Sequence, residues 1–190
     1  MEALAVKASV SAMTIRDARQ GELDAVASLL GQVYDAFRPL FSAEVWASYI
    51  REIVHVDSRL ADSELIVAEA EGRLAGAITF YPDASRSGME RWPEGWAAIR
   101  TVAVIASARR NGIGESLARE CIRRAQVRRA RAIGLHTASF MVAANRLYRR
   151  LNFQRSPAFD IEIGDMFTSH SLPSDLTWQA EAFQLNLEDL

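Results

Sequence analysis

The residues Arg109-Arg110-Asn111-Gly112-Ile113-Gly114 combine the side chains and the spacing that bind an anion. The two arginines are fork-shaped donors suited to phosphate. The two glycines let a bulky group approach the backbone closely. Immediately downstream, Ile113, Leu117, Cys121 and Ala125 recur at a spacing of four with Arg119, Arg123, Arg124 and Arg128 between them, which predicts an amphipathic helix with a basic outer face. The first N–H groups of such a helix have no intrahelical partner and carry the positive end of its dipole, so the turn reads as a pyrophosphate cradle. A plain structural turn ahead of a helix also fits these six residues. Neither the dinucleotide pattern G-x-G-x-x-G near a first strand nor a P-loop is present.

Several elements must position this turn. Ala97 to Ile105 is rich in β-branched and small apolar residues, as in a strand buried on both faces. After the basic helix, Ala132 to Ala138 reads as a second buried strand. Strand, crossover helix and strand make a right-handed unit with the two strands as parallel neighbours. A short helix, Val142 to Leu151, follows. Upstream lie a strand at Thr14 to Ala18, a helix at Glu22 to Phe37 and a helix at Ala43 to Val54 capped by Ser42. A hairpin of Glu64 to Ala70 and Arg73 to Tyr81 turns at Glu71-Gly72, and Pro82 to Gly95 is a loop leading into the central strand. Phe153 to Ile163 and Leu176 to Leu187 read as closing strands joined by a loop with Pro173. The order is that of an α/β protein with a mixed sheet and helices on both faces, a single domain over residues 13–190. Residues 1–12 lack a signal-peptide pattern and are expected to form a flexible extension.

The glycine turn resembles the acyl-CoA signature of the GNAT-type N-acetyltransferases, Gln/Arg-x-x-Gly-x-Gly/Ala. The run Met141-Val142-Ala143-Ala144-Asn145-Arg146-Leu147-Tyr148-Arg149-Arg150-Leu151-Asn152-Phe153 is similar to that family's second landmark, an Asn and a Tyr three residues apart on a short helix. The resemblance spans about residues 13 to 163. It implies a sheet of about seven strands splayed between the two central parallel strands, with the pantetheine arm of acetyl-CoA in the gap. On that reading the backbone of Val102, Ala103 and Val104 pairs with the arm. Arg109, Arg110, Asn111, Gly112, Ile113, Gly114 and Glu115 bind the diphosphate, and Asn145 contacts the arm or holds its loop. The reaction implied is acetyl transfer from the thioester to a primary amine by direct attack in a ternary complex. An N–H near Val102 would stabilise the oxyanion. Tyr148 would be the catalytic acid, because a phenol of pKa about 10 can protonate a thiolate whose thiol titrates near about 8.5. The same residues also admit plainer roles: Tyr148 packing on the sheet with its hydroxyl at the surface, and Asn145 as a helix-surface amide.

One position departs from the family pattern. Many relatives carry a Glu on the central strand two residues before the place of Arg100, and here that residue is Ala98. Deprotonation through water, a carboxylate from the preceding loop and diminished activity are the three explanations. Glu94 and Glu90 are the nearest loop carboxylates, and Glu94 is taken as the candidate base. His136 is a further candidate, since an imidazole can serve as a base near neutral pH, although its strand position can turn it into the core. A non-catalytic acyl-CoA-binding or interaction module with the same fold is the competing reading.

Composition bounds the remaining classes. At 190 residues the chain is long enough for one well-packed domain, and 49% hydrophobic with 24% charged residues is typical of folded soluble proteins. A formal charge of −2 gives no reason to expect nucleic acid. Lys7 is the one lysine, so the positive charge is almost all arginine, and away from the turn a solvated helix face accounts for it. A lone Cys121 on an apolar stripe argues against disulfides and for a core role, which makes a cytoplasmic location the expectation. His55, His136 and His170 lack metal-ligand spacing, so no metal is expected, and no apolar run reaches the length of a membrane span. The expected partners are acetyl-CoA and a small-molecule or peptide amine, with Trp46, Tyr49, Trp92 and Trp96 as candidate aromatic walls. The closing strands offer an edge for a homodimer.

Overall fold

The computed structural model describes residues 13–88, 92–162 and 179–188. The expected N-terminal extension, Glu90, and the connection containing His170 and Pro173 lie outside these residues. The elements are β1 (Met13–Asp17), α1 (Leu23–Tyr34), α2 (Ala43–Val54), β2 (Glu64–Ala70), β3 (Arg73–Tyr81), β4 (Trp96–Val104), α3 (Ile113–Val127), β5 (Ala132–Thr137), α4 (Val142–Arg150), β6 (Gln154–Arg155), β7 (Ile161–Glu162) and β8 (Gln179–Asn186).

Local chemistry accounts for several boundaries. The Ser42 hydroxyl accepts from the Val45 N–H at 3.4 Å and starts α2 where the capping pattern predicts. Helix α1 ends at Tyr34, short of the expected Phe37, and passes into a 3-10 turn over Asp35–Leu40 that contains Pro39. A proline disfavours helical backbone at the residue before it and has no N–H to donate, which loosens this segment. Glu71 and Gly72 take φ of 54° and 72°, the doubly left-handed pair of a tight hairpin. The expected strand from Phe153 to Ile163 is instead two short pieces, β6 and β7, interrupted by a 3-10 turn at Pro157–Phe159. Pro157 cannot donate to a ladder, so the strand breaks there.

The sheet runs β1-β2-β3-β4-β5-β8-β6, with β7 also paired to β8, and only β4 and β5 are parallel. On one face Ile113, Leu117, Cys121 and Leu147 from α3 and α4 pack on Ile78, Ile99, Leu135 and Phe183. On the other, Val26, Leu30, Trp46 and Ile53 from α1 and α2 pack on Leu65, Val67, Ala77 and Ala103. Full burial of a large apolar side chain contributes about 1.5–3 kcal/mol, so these two layers hold the helices to the sheet. Cys121 is fully buried and its thiol is pushed up by desolvation, so it is a core residue and not a nucleophile. Gly76 lets α3 approach closely. A Cβ there would lie 2.8 Å from the Ala103 carbonyl and 3.1 Å from Ile113.

The outward arginines of α3 are tied to the fold. Arg124 bonds Asp17 and Glu64 at 2.6 Å and Glu120 at 2.8 Å, Arg128 reaches Glu64, and Arg123 pairs with Glu120. These links join the far end of α3 to β1 and β2, leaving its N-terminus as the part that faces the glycine turn.

Candidate active site

The parallel pairing of β4 with β5 runs from Trp96 opposite Ala132 to Ile99 opposite Leu135 and stops there. Beyond it, β4 continues to Val104 against β3, while His136 and Thr137 of β5 pair with β8. The two central strands therefore part over their C-terminal halves. The Ile105 N–H donates to the Ala75 carbonyl of β3 at 3.0 Å. Because backbone groups alternate in direction along a strand, those of Val104 and Val102 turn to the parted side, and those of Ala103 to β3. Consistent with this, the Val104 carbonyl accepts from Arg109 Nε at 3.2 Å. The parting coincides with a bulge: the β3–β4 register shifts between Ala77 and Thr79, and Thr101 has φ 48°. Bulges bend and twist the strand that carries them.

Strand β4 ends in a 3-10 turn, Ala106–Ala108, and the following chain turns through Arg110 at φ 68° and Gly112 at φ 77° into α3. Gly112 is the N-cap and no side chain caps the helix. The first helical bond is from the Ser116 N–H to the Gly112 carbonyl, at 2.9 Å, so the N–H groups of Ile113, Gly114 and Glu115 have no helical acceptor. Arg109, Arg110, Asn111 and Gly112 are exposed around them. Ile113 itself is buried, so its side chain anchors the turn to the core and only its N–H faces outward. The Glu115 carboxylate pairs with Arg119 at 2.8 Å. A Cβ on Gly114 would touch Leu147 at 3.5 Å and Val104 at 3.6 Å, so this glycine lies where α3, α4 and the end of β4 converge.

Helix α4 brings two side chains to the same place. Tyr148 is buried, with its ring 5.6 Å from that of Phe153. Burial pushes its phenol well above the ordinary value, and the neighbouring Tyr34 adds to the effect, so the group stays protonated. Its hydroxyl makes no hydrogen bond to any described residue. Asn145 donates to the Ala138 carbonyl at 2.8 Å and the Met141 carbonyl at 3.2 Å, holding the loop between β5 and α4. Its Oδ1 is buried without a partner, an acceptor awaiting a donor.

On the opposite face the sequence expectations fare unevenly. Ala98 is fully buried. Glu94 is exposed at the N-terminal end of β4, where its carbonyl accepts from the Arg131 guanidinium. That is the zipped end, five residues before Ile99 and so roughly 16 Å from the parting at the usual strand rise. The structure does not bring the Glu94 carboxylate to the site. His136 is half-buried beside Trp92, with Nε2 2.7 Å from the Phe159 carbonyl. Trp92 and Trp96 stack on each other at 5.5 Å and against Phe159, filling the core at that end. Trp46 and Tyr49 belong to a different aromatic group with Tyr34 and Phe41, beneath α1 and α2.

Three residues not singled out from the sequence stand beside this second group. Arg100, the first β4 residue past the parallel pairing, donates to the Ser87 carbonyl at 2.7 Å and lies 3.6 Å from Glu52 Oε1. Arg59 donates to the Glu52 and Ile53 carbonyls at the end of α2 and lies 4.0 Å from the same Oε1. Burial pushes the nearby Tyr34 phenol up to about 12, with the two arginines opposing the shift. The one available signal is a charge at position 100 inside a strand that, Thr101 apart, is otherwise apolar. Among the described residues no cluster of His, Cys, Asp or Glu could hold a metal ion, and no helix is long and apolar enough to cross a membrane.

The acetyltransferase (GNAT) family profile matches residues 30–153. No curated protein matches the chain in sequence. Among solved structures, PaiA N-acetyltransferase from Thermoplasma acidophilum, in complex with coenzyme A, is similar at 13% identity and a TM-score of 0.68, covering 92% of this chain and 99% of its own. YncA from Salmonella typhimurium, with acetyl-CoA, is similar at 19% identity and a TM-score of 0.61, covering 94% and 96%. A ribosomal-protein-alanine N-acetyltransferase from Brucella melitensis is similar at 19% identity and a TM-score of 0.60, covering 92% and 99%. At these identities the likeness is one of fold. The parted strands, the uncapped helix behind the glycine turn and the match over residues 30–153 place the chain in the acetyltransferase (GNAT) family.

Proposed function

We propose that the chain is an acetyl-CoA-dependent N-acetyltransferase that acylates a small-molecule or peptide amine by direct attack in a ternary complex. The observation that carries this reading is a continuity. The β4 edge opened beyond Ile99 leads straight to the uncapped N–H groups of Ile113, Gly114 and Glu115. An extended amide-bearing arm ending in a diphosphate fits such a path, because the first part needs strand-like pairing and the second needs converging N–H donors. The coenzyme contents of the PaiA and YncA structures support the same cosubstrate.

Acetyl-CoA supplies the acetyl group as an activated thioester. Val102 and Val104 bind the arm through their backbone groups, and Ala103, whose groups face β3, contributes packing. The N–H groups of Ile113, Gly114 and Glu115, with Arg109, Arg110 and the exposed turn at Asn111 and Gly112, hold the diphosphate. Asn145 Oδ1 accepts an N–H from the arm. The Val102 N–H meets the oxygen on which negative charge develops. Tyr148 donates its hydroxyl proton to the departing sulfur, a role suited to a phenol kept protonated and free of other hydrogen bonds. With Ala98 on β4 and Glu94 at the far end, the amine loses its proton to water. A cytoplasmic location accords with the single cysteine, which is buried.

The deciding experiment follows free-thiol release from acetyl-CoA across a panel of primary amines. Amine-dependent release supports the enzyme reading. Tight CoA binding with no turnover of any amine, and no effect of Tyr148→Phe, supports the non-catalytic module instead.

A further inference from the structure

Resting on the acetyltransferase reading, we infer that the Thr137 hydroxyl is a further coenzyme-binding group, which donates to an amide carbonyl of the acetyl-CoA arm between the parted strands. Thr137 is the last residue of β5, two beyond Leu135, where the parallel pairing with β4 stops. On its other side it still pairs with Glu181 of β8. Counted on from the last parallel pair, Ile99 with Leu135, Thr137 stands level with Thr101 and so beside Val102, whose N–H meets the developing oxyanion in the proposed reaction. It therefore flanks the gap at the thioester end.

Side-chain alternation sets the face. Gly134 and His136 lie against Trp92, whereas Ile133 and Leu135 pack in the layer that holds Leu147 and Tyr148 of α4. Thr137 follows Leu135 by two and takes the same side of the sheet. It is 4% exposed, yet its Oγ1 is buried without a hydrogen-bond partner. Buried hydroxyls are nearly always bonded, and a valine would suit the same strand position without an unmet polar group. A second unpartnered oxygen belongs to the same turn of chain. Asn145 Oδ1 is buried without a partner, on a side chain whose amide donates at 2.8 Å to the carbonyl of Ala138, the residue after Thr137. The two atoms have complementary needs. A carboxamide oxygen can only accept, whereas a hydroxyl can donate. An arm built of successive amides offers an N–H to Asn145 and a carbonyl to Thr137, which no purely apolar segment could do.

Calorimetric titration of the full-length protein with CoA, and with adenosine 3′,5′-bisphosphate, which lacks the arm, tests this. Thr137→Val should weaken CoA binding about fivefold or more and leave the bisphosphate within about twofold of its native affinity. Its thermal melt without ligand should be no lower than the native one, because an unbonded hydroxyl gives way to an apolar group of the same shape. Thr137→Ser and Thr137→Ala lose the same methyl group and differ in the hydroxyl alone, so the serine variant should bind CoA about fivefold or more tightly than the alanine variant. Native CoA affinity in Thr137→Val, equal CoA affinity in the serine and alanine variants, or parallel losses of CoA and bisphosphate overturn this inference alone. The expected loss in Thr137→Val without amine-dependent thiol release by the native protein overturns the acetyltransferase reading alone. A native protein that binds no CoA overturns both.

Discussion

The Thr101 hydroxyl lies 2.8 Å from that of Thr79 on the neighbouring strand, at the bulge next to which β4 leaves β5. Thr101 is held at φ 48°, a left-handed conformation that costs a β-branched residue about 1–2 kcal/mol, and the bond to Thr79 helps to keep it there. Thr79→Val keeps the shape of a buried side chain and removes the partner. We expect a loss of about 1 kcal/mol in urea unfolding. Turnover should fall more than acetyl-CoA affinity, because the Val102 N–H sits on the disturbed bulge. Unchanged turnover would separate the bulge from the chemistry.

Gly114 is a place in the turn where a side chain points to the core and away from the exposed N–H groups. An alanine Cβ there meets Leu147 and Val104 at ordinary contact distances, and alanine is a better helix former than glycine by about 1 kcal/mol. Gly114→Ala should therefore fold at least as stably as the native chain. It should also bind CoA about as tightly as the native chain, because the methyl group points at Leu147 and Val104 and leaves the outward N–H groups clear, in keeping with the alanine that the family signature admits at this place. Thermal melts and CoA titrations of the same preparation check both halves. A loss of CoA affinity of about tenfold or more in this variant would contradict this placing of the glycine.

Tyr148→Phe removes a hydroxyl that bonds no described residue and keeps the ring against Phe153. Stability should change little, and kcat should fall about a hundredfold, with little change in KM for acetyl-CoA. Burial holds the phenol above its ordinary value, so in the native enzyme it remains protonated as pH rises and does not end activity on the alkaline side below about pH 10. A kcat profile that falls between pH 8 and about 9 and loses that fall in Tyr148→Phe would contradict this assignment.

Acid should loosen the attachment of α3. Hydrogen bonds from Arg123 and then Arg124 hold the Glu120 carboxyl at about 2, below its ordinary 4.5. A depressed folded value means that the carboxylate's contribution is complete above the unfolded value and is lost as pH falls from about 4.5 towards 2. Glu120→Gln should flatten the dependence of unfolding free energy on pH in that window. An unchanged slope would show that other carboxylates carry it.

Much of this fold is legible in the chain, for reasons that differ by element. Strand β4 and helix α3 announce themselves because a buried parallel strand must be apolar on both faces and a surface helix must alternate. The limits of α2, β2 and β3 agree with the expected ones because Ser42 and Glu71-Gly72 act locally. The break at Pro157 is harder to see in the chain, because one missing donor matters more in a short edge segment than the surrounding apolar pattern suggests. The uncapped start of α3 is legible because glycines announce an exposed backbone turn ahead of a helix. Arg59, Arg100 and Glu52 were not, since they come from three separate elements and meet only through tertiary packing. Glu94 misled for the same reason. Nearness to β4 in sequence says nothing about which end of the strand opens.

The central claim is that the coenzyme lies along the opened edge of β4 with its diphosphate at the start of α3. A crystal structure of the protein soaked with CoA tests it directly. The account predicts diphosphate oxygens within hydrogen-bonding distance of the N–H groups of Ile113, Gly114 and Glu115, and a pantetheine arm paired with Val102 and Val104 between β4 and β5. Coenzyme bound elsewhere, or an arm that leaves the β4 edge without contact, would contradict it.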